Sequence, residues 1–264
     1  MKRKVMGRMV AVIPARMGSS RFPGKPLAPL LGRPMIEHVY RRAALCEGLD
    51  AVYVATCDEE VRVVVEEFGG TVIMTAADHE RASDRVAEAA EHVEAEIIVM
   101  IQGDEPMLTP EMIDAAVAPM LNDRAVTCVN LVRWIGTRAE YIDPNTIKVV
   151  KNVYGDALYF SRAPIPAIEF DDSEHLRVFK QVCVIPFRRE ALREFARLAP
   201  TPLEWAESID MLRLIEHGGR VRLVETDVDT HAVDTPADLR LVEGLMKDDP
   251  LGRRYGAPGA RGRV

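Results

Sequence analysis

A mostly parallel α/β architecture follows from three features of this 264-residue chain: short continuous apolar runs, amphipathic stretches alternating strictly with them, and glycines where those stretches stop. Met9–Pro14, rich in Met, Val and Ile, reads as the first buried strand. Ala51–Ala55, Thr71–Met74 and Ile97–Ile101 are runs of the same kind. Between them, Met35–Cys46, Glu59–Phe68 and Ala82–His92 carry apolar residues on one stripe and charges opposite, a helical signature. Gly48 and Gly69-Gly70 stand where helix C-caps belong. This alternation predicts βαβ units and a parallel sheet covered on both faces. Ligands of such sheets bind beyond the carboxyl ends of the strands. That rule points to the residues after Pro14, near Ala55–Asp58, after Met74 and after Ile101.

The pattern changes between Ala125 and Phe187. Alternating segments (Val126–Trp134, Thr146–Lys151, Ala157–Phe160, Gln181–Phe187) surround turn signals at Asp143-Pro144-Asn145 and Tyr154-Gly155, which predicts a more antiparallel lobe. Pro164, Pro166 and the acidic 169–174 stretch read as a mobile loop within it. Helices are expected at Arg188–Ala196 and Leu203–His217, the latter ended by Gly218-Gly219. A strand at Val221–Glu225 and a last helix at Thr235–Met246 follow, with Asp234 as N-cap and Pro236 in the first turn. One domain is therefore expected over 1–252, the small lobe occupying about 131–187. Residues 253–264 have the Gly/Arg-rich composition of a disordered tail.

Composition narrows the function. The chain is 48% hydrophobic and 28% charged, and its 34 Lys and Arg against 41 Asp and Glu leave a formal charge of −7. A protein built to neutralise many phosphates of a polymer should be basic, so no nucleic-acid partner is expected. Apolar runs such as Ile97–Ile101 are far shorter than the roughly 20 residues of a membrane helix, so no membrane partner is expected either. Basic Met1–Lys4 followed by apolar Met9–Ala15 mimics a signal peptide faintly, and Pro14 and Arg16 interrupt it. Cys46, Cys57, Cys128 and Cys183 are widely spaced with no CxxC, which reads as buried thiols in a reducing, cytoplasmic setting. The six histidines show no zinc spacing, and no G-x-S-x-G elbow suggests covalent catalysis.

The most informative segment is Ala15-Arg16-Met17-Gly18-Ser19-Ser20-Arg21-Phe22-Pro23-Gly24-Lys25-Pro26-Leu27, beyond the first strand. Glycines let backbone N–H groups close on a phosphate, while Arg and Lys neutralise its charge. Neither the Walker A spacing nor GxGxxG is present. On composition alone the segment is also compatible with a solvated polar loop.

The order of these residues resembles that of sugar-activating nucleotidyltransferases, most closely the CMP-Kdo synthetase (3-deoxy-manno-octulosonate cytidylyltransferase) family. The resemblance rests on Pro14-Ala15-Arg16, Ser19/Ser20, Arg21, Pro23-Gly24-Lys25-Pro26-Leu27 and Gly32-Arg33-Pro34-Met35-Ile36-Glu37-His38-Val39. It continues through Ile101-Gln102-Gly103-Asp104-Glu105-Pro106, Asn145–Val150, Ala157–Pro166 and Val233–Leu239. It implies a Rossmann-like, three-layer, glycosyltransferase-A-like nucleotidyltransferase fold with an antiparallel dimerisation lobe. The implied chemistry is CMP transfer from CTP to an anionic small-molecule acceptor, releasing pyrophosphate, with Mg²⁺ as cofactor. The same resemblance implies a homodimer formed through about Leu131–Ser161.

The resemblance also assigns roles. Asp104, at the ligand edge of the sheet, and Asp234, far away in sequence, would share the Mg²⁺; read on their own they are a turn residue and a helix cap. Arg16 and Lys25, catalytic together with Asp104, would hold charge on the α-phosphoryl group and the departing pyrophosphate. Pro14, Ala15, Ser19, Ser20, Arg21 and Gln102 would complete the nucleotide site. Asp78–Arg85 would be the base-reading segment, with Ser83 and Arg85 nearest the pyrimidine; Ala82-Ser83 replaces the family's usual Gly-Thr. On the acceptor side Gln102 and Arg162 persist. The family's strand H-[IL]-G-[IL]-Y is here Gln181-Val182-Cys183-Val184-Ile185, and its L-E-Q-L-R is Ile209-Asp210-Met211-Leu212-Arg213. Gln181, Ile185, Asp210 and Met211 are thus four altered acceptor positions, and lost polyol hydrogen bonds penalise the old substrate. The default acceptor is Kdo. Alternatives are another 3-deoxy-ulosonic acid, a small phosphonate, or a nucleotide-binding protein without turnover.

Overall fold

The computed structural model describes residues 7–18, 21–168 and 177–256. In chain order the elements are β1 (Met9–Ala15), a 3-10 turn (Lys25–Leu27), β2 (Pro29–Leu30), β3 (Arg33–Pro34), α1 (Met35–Ala44), β4 (Ala51–Thr56), α2 (Glu59–Glu67), β5 (Val72–Met74), α3 (Ala82–Glu91), β6 (Ile97–Ile101) and α4 (Pro110–Asn122). They continue with β7 (Val129–Trp134), α5 (Arg138–Ile142), β8 (Lys148–Lys151), β9 (Ala157–Ser161), β10 (Phe179–Val182), β11 (Val184–Arg188), α6 (Arg189–Arg197), α7 (Pro202–Glu207), α8 (Met211–Glu216), β12 (Arg222–Glu225), α9 (Pro236–Met246) and α10 (Pro250–Gly256). The chain divides into two compact units, one of residues 1–114 with 230–264 and one of residues 115–229, the division falling within α4. The small lobe expected at about 131–187 is thus part of a wider second unit.

The first unit is the predicted βαβ assembly. Its strands run in the order β6-β1-β4-β5, all parallel. All seven residues of β1 and all five of β6 are buried, which is why both read as unbroken apolar runs. Leu30, Met35, Val233, Val242 and Met246 form a buried cluster with Phe22, Met107 and Leu239 against it. That cluster packs α9 beside the start of α1. The fold continues into the segment expected to be a tail: α10 carries Tyr255, which is 4% exposed. Residues 257–264 lie outside the described residues.

The second unit is mostly antiparallel, with strand order β12-β7-β10-β8-β9, β12 alone pairing in parallel with β7. The β8–β9 turn forms where Tyr154-Gly155 predicted it: Gly155 takes φ +84°, and Asn152 Oδ1 accepts from the N–H groups of Tyr154 and Asp156. Two expectations are corrected here. Gln181–Phe187 is two strands, β10 and β11, interrupted at Cys183. Leu203–His217 is two helices, because Ser208 adopts a left-handed conformation (φ 55°) that an α-helix cannot continue through. Trp134, Val153, Tyr154 and Leu158 are exposed apolar side chains of this unit. Of the cysteines, all free, Cys46 and Cys128 are buried, whereas Cys57 and Cys183 are half-buried. Among the described residues no helix is long and apolar enough to cross a membrane.

Candidate active site

The loop after β1 is tied at both ends. Gly24 donates its N–H to the Met17 carbonyl at 3.0 Å and takes φ +73°, a conformation that favours glycine. The 3-10 turn then places Lys25 at once behind this closure. At the other end, the Met17 N–H donates to Asp58 Oδ2 at 2.7 Å, and Asp58 is itself held by its own N–H donating to Thr56 Oγ1. Asp58 stands two residues beyond β4, at the edge where ligands are expected, yet no motif singled it out. Pro14 and Ala15 are buried, Arg16 and Arg21 exposed. Ser19 and Ser20 fall outside the described residues.

Asp104 follows β6 at the same edge. Gly103, just before it, lies so close to β1 that a Cβ would come within 3.0 Å of the Pro14 carbonyl oxygen. The returning chain is stitched to this turn: Val233 N–H donates to the Asp104 carbonyl at 2.9 Å, and Thr230 Oγ1 donates to Glu105 Oε2 at 2.7 Å, both partners of the latter being buried. Asp234 is thereby delivered beside Asp104. Lys25 Nζ donates to Asp104 Oδ2 at 2.6 Å and to Asp234 Oδ1 at 3.3 Å, while Arg21 Nη2 donates to the same Asp234 oxygen at 3.0 Å. Burial disfavours a charged Lys25, but the two carboxylates outweigh it and hold its pKa above the ordinary value.

The structure corrects the expected cap of α9. Thr235 is the N-cap: its hydroxyl accepts from the Asp238 N–H, and the Asp238 carboxylate accepts from the Thr235 N–H, a reciprocal capping box. Asp234 precedes the cap, so its carboxylate is free for the cations. Two carboxylates already sharing an ammonium fit a hard divalent ion such as Mg²⁺, which takes one or two carboxylates and completes its shell from phosphates and water. Among the described residues no group of three or more His, Cys, Asp or Glu side chains could hold a metal unaided.

The segment after β5 is organised by Glu88 of α3, which accepts from the Ala76 N–H at 2.9 Å and pairs with His79. Desolvation pushes its pKa up, and these contacts more than reverse that, leaving it below the usual carboxylate range. Arg85, buried on the same helix, donates from Nη1 to Thr75 Oγ1 and to the Ala76 carbonyl. Its Nη2 is buried with no hydrogen-bond partner among the described residues, an arrangement that costs about 1–3 kcal/mol unless an acceptor arrives. Ser83 is fully buried in the first turn of α3. Gln102, half-buried, lies between β6 and Asp104.

The other acceptor candidates belong to the second unit. Arg162 follows β9 and Gln181 lies in β10, where its Nε2 donates to Asn130 Oδ1 at 2.6 Å. Asp210 is half-exposed before α8. Ile185 and Met211 are buried, at 2% and 1% exposure.

Residues 10–225 match the family described as Cytidylyltransferase. The 3-deoxy-manno-octulosonate cytidylyltransferase of Geobacter metallireducens is 45% identical over 91% of this chain and 98% of its own length. Its namesake in Escherichia coli is 43% identical over 92% and 98% respectively. A solved CMP:2-keto-3-deoxy-manno-octonic acid synthetase, complexed with CTP, superposes with a TM-score of 0.85 at 44% identity, covering 92% of this chain and 99% of that one. A 4-diphosphocytidyl-2C-methyl-D-erythritol synthase from Anaerococcus prevotii shares the fold alone, with 11% identity, a TM-score of 0.63, and coverage of 91% and 98%.

Proposed function

Because this chain belongs to the 3-deoxy-manno-octulosonate cytidylyltransferase family, we propose that it transfers CMP from CTP to 3-deoxy-D-manno-octulosonate, releasing pyrophosphate. The observation that carries the reading is the meeting of Asp104 and Asp234 at Lys25, behind a glycine-closed cationic loop at the carboxyl edge of a parallel sheet. Asp104 and Asp234 would hold Mg²⁺, which when bound offsets phosphate charge and polarises the phosphoryl group. Lys25 and Arg16 stabilise negative charge on the α-phosphoryl group and the departing pyrophosphate. Arg21, Pro14 and Ala15 are assigned to the rest of the triphosphate site, with Ser19 and Ser20, which lie outside the described residues. An acceptor oxygen attacks the α-phosphorus directly, with no covalent enzyme intermediate.

The unpaired Nη2 of Arg85 supports a base-reading role for α3: a pyrimidine carbonyl oxygen is an acceptor of the kind that nitrogen lacks. Ser83 and Gln102 complete the assignment to the nucleotide. Arg162, Gln181, Ile185, Asp210 and Met211 are assigned to the acceptor, with Gln102. Departure of four of these positions from the family's residues favours one second reading, the same chemistry on another ulosonic acid or a small phosphonate. The protein acts in the cytoplasm as a homodimer formed through about Leu131–Ser161, where Trp134, Val153, Tyr154 and Leu158 expose apolar surface.

Pyrophosphate release from CTP and Mg²⁺ across a panel of acceptors tests this directly. Release with Kdo confirms the principal reading. Release only with another ulosonic acid or a phosphonate selects the second, and no release with any acceptor refutes both.

A further inference from the structure

Arg162 is gripped along its backbone and on two of its three guanidinium nitrogens. Its carbonyl accepts from Lys148 Nζ at 2.6 Å, and its N–H donates to Glu207 Oε2 at 2.8 Å. Its Nε donates to the Glu207 main-chain carbonyl at 2.7 Å, and Nη1 to the Pro144 carbonyl at 3.1 Å. Neither guanidinium bond goes to a carboxylate, and Nη2 has no partner among the described residues. An arginine oriented by neutral carbonyls keeps its full charge for an incoming anion, whereas one oriented by an acid has already lost much of its pull.

Glu207, the last residue of α7, is the hub of this arrangement. Its second oxygen, Oε1, accepts from Ser161 Oγ at 2.7 Å and from Tyr159 OH at 3.2 Å. Ser161 Oγ in turn accepts from the Ala163 N–H at 3.0 Å. Both carboxylate oxygens therefore accept from donors; a glutamine would turn its NH₂ to the two hydroxyls and give up the charge that strengthens all three bonds. Desolvation opposes the charge on Glu207, but these donors prevail and hold its pKa below the ordinary value. Lys148 completes the clamp: fully buried, it spends its three protons on the carbonyls of Asp143, Thr146 and Arg162. A buried ammonium without a carboxylate partner is a costly device, and here it ties the Arg162 carbonyl to the 143–146 turn, whose Pro144 carbonyl holds Nη1.

We infer that Glu207 is a positioning residue for acceptor binding: from the end of α7 it sets the backbone and the guanidinium of Arg162 so that Nη2 presents to the acceptor's carboxylate. The inference rests on the reading of Arg162 as an acceptor contact, and the experiment separates the two. Steady-state kinetics with CTP, Mg²⁺ and Kdo are compared for the wild type, Glu207→Gln, Arg162→Ala and the double variant, with far-UV circular dichroism and a thermal melt on each. Expected are a rise in acceptor KM of about tenfold or more for Glu207→Gln and a CTP KM that stays within about twofold. No further rise is expected when Glu207→Gln is added to Arg162→Ala. Should Glu207→Gln not fold, Ser161→Ala, which removes one donor and keeps the carboxylate, should raise acceptor KM by a smaller factor, about threefold. An effect of Arg162→Ala without any effect of the folded Glu207 or Ser161 variant overturns the inference and leaves the reading of Arg162 standing. No effect of Arg162→Ala overturns both, and equal rises in the acceptor and CTP KM values mark a merely structural role for Glu207.

Discussion

Two aspartates at helix starts, Asp58 before α2 and Asp234 before α9, cap neither helix with their side chains. Each carboxylate is committed instead to the loop after β1, Asp58 to the Met17 N–H and Asp234 to Lys25 and Arg21. A helix-starting acid ordinarily stabilises its own helix by about 1 kcal/mol, so its diversion marks a position where the ligand loop has first claim. Asp104→Asn should lower CMP transfer at least about a hundredfold, the scale of losing a charge-stabilising group, while the melting temperature stays close to that of the wild type. Unchanged turnover would remove Asp104 from the reacting centre. Asp58→Ala is expected to raise the CTP KM about tenfold, the worth of a charge-assisted hydrogen bond, with acceptor KM unaffected. Equal changes in both constants would reduce Asp58 to a structural residue. The metal role proposed for Asp234 comes only from family resemblance, because in sequence a lone Asp before Thr-Pro is indistinguishable from a cap. Asp58 was marked only by its place at the carboxyl edge of a strand and Glu207 not at all, since the bonds they make to the Met17 and Arg162 N–H groups are ones that sequence does not display.

At the scale of elements, the C-terminal α10 is joined to α1 through a buried polar knot. His38 Nε2 lies 2.7 Å from the Leu30 carbonyl, which can only accept, so Nε2 carries the proton. Nδ1 then accepts from the Tyr255 hydroxyl, whose oxygen accepts in turn from Arg42 Nε; Arg42 also pairs with Asp249 and donates to the Leu108 carbonyl. Burial, opposed by the Leu30 bond and helped by the Arg42 charge, holds the His38 pKa below its usual 6.5. The unfolded chain therefore takes up a proton before the folded one does. Stability from this source is complete above about pH 6.5 and is lost as pH falls through the folded value. Melting temperatures measured from pH 7.5 downward should decline below about 6.5, and His38→Gln should flatten that decline; an undiminished slope in the variant would place its origin elsewhere. Tyr255→Phe should cost about 1–3 kcal/mol by orphaning two buried polar atoms, a fall of several degrees in a chain this size. A melt identical to the wild type would show that α10 is not part of the folding unit.

For the whole molecule, oligomeric state is the property with a direct readout. Val153 and Tyr154 are 94% and 78% exposed at the tip of the β8–β9 turn, with Leu158 and Trp134 exposed in the same unit. Large apolar side chains set out on a polar surface are ordinary singly, but several in one antiparallel region fit a self-complementary contact between copies. Light scattering at micromolar concentration should give twice the chain mass, and Tyr154→Asp combined with Leu158→Asp should give the single mass with secondary structure intact. A wild-type monomer would remove the dimer from the account. Apolar patterning does not reveal that β12 joins the sheet of this unit from far along the chain, through parallel pairing with β7.

What the sequence determined by itself was whatever short-range physics can write: the buried strands of the parallel sheet, the amphipathic helices, the glycine at the loop closure, and a family resemblance carried by contiguous motifs. The tertiary structure alone decided where distant charges meet. Asp104 and Asp234 share Lys25 because one main-chain and one side-chain bond stitch residues 230–233 to the turn after β6, and Leu203–His217 is broken because Ser208 leaves the helical region just after Glu207. Periodicity encodes which face of an element is buried; it says nothing of which atoms another element brings against it, and chemistry at this site is made of those encounters.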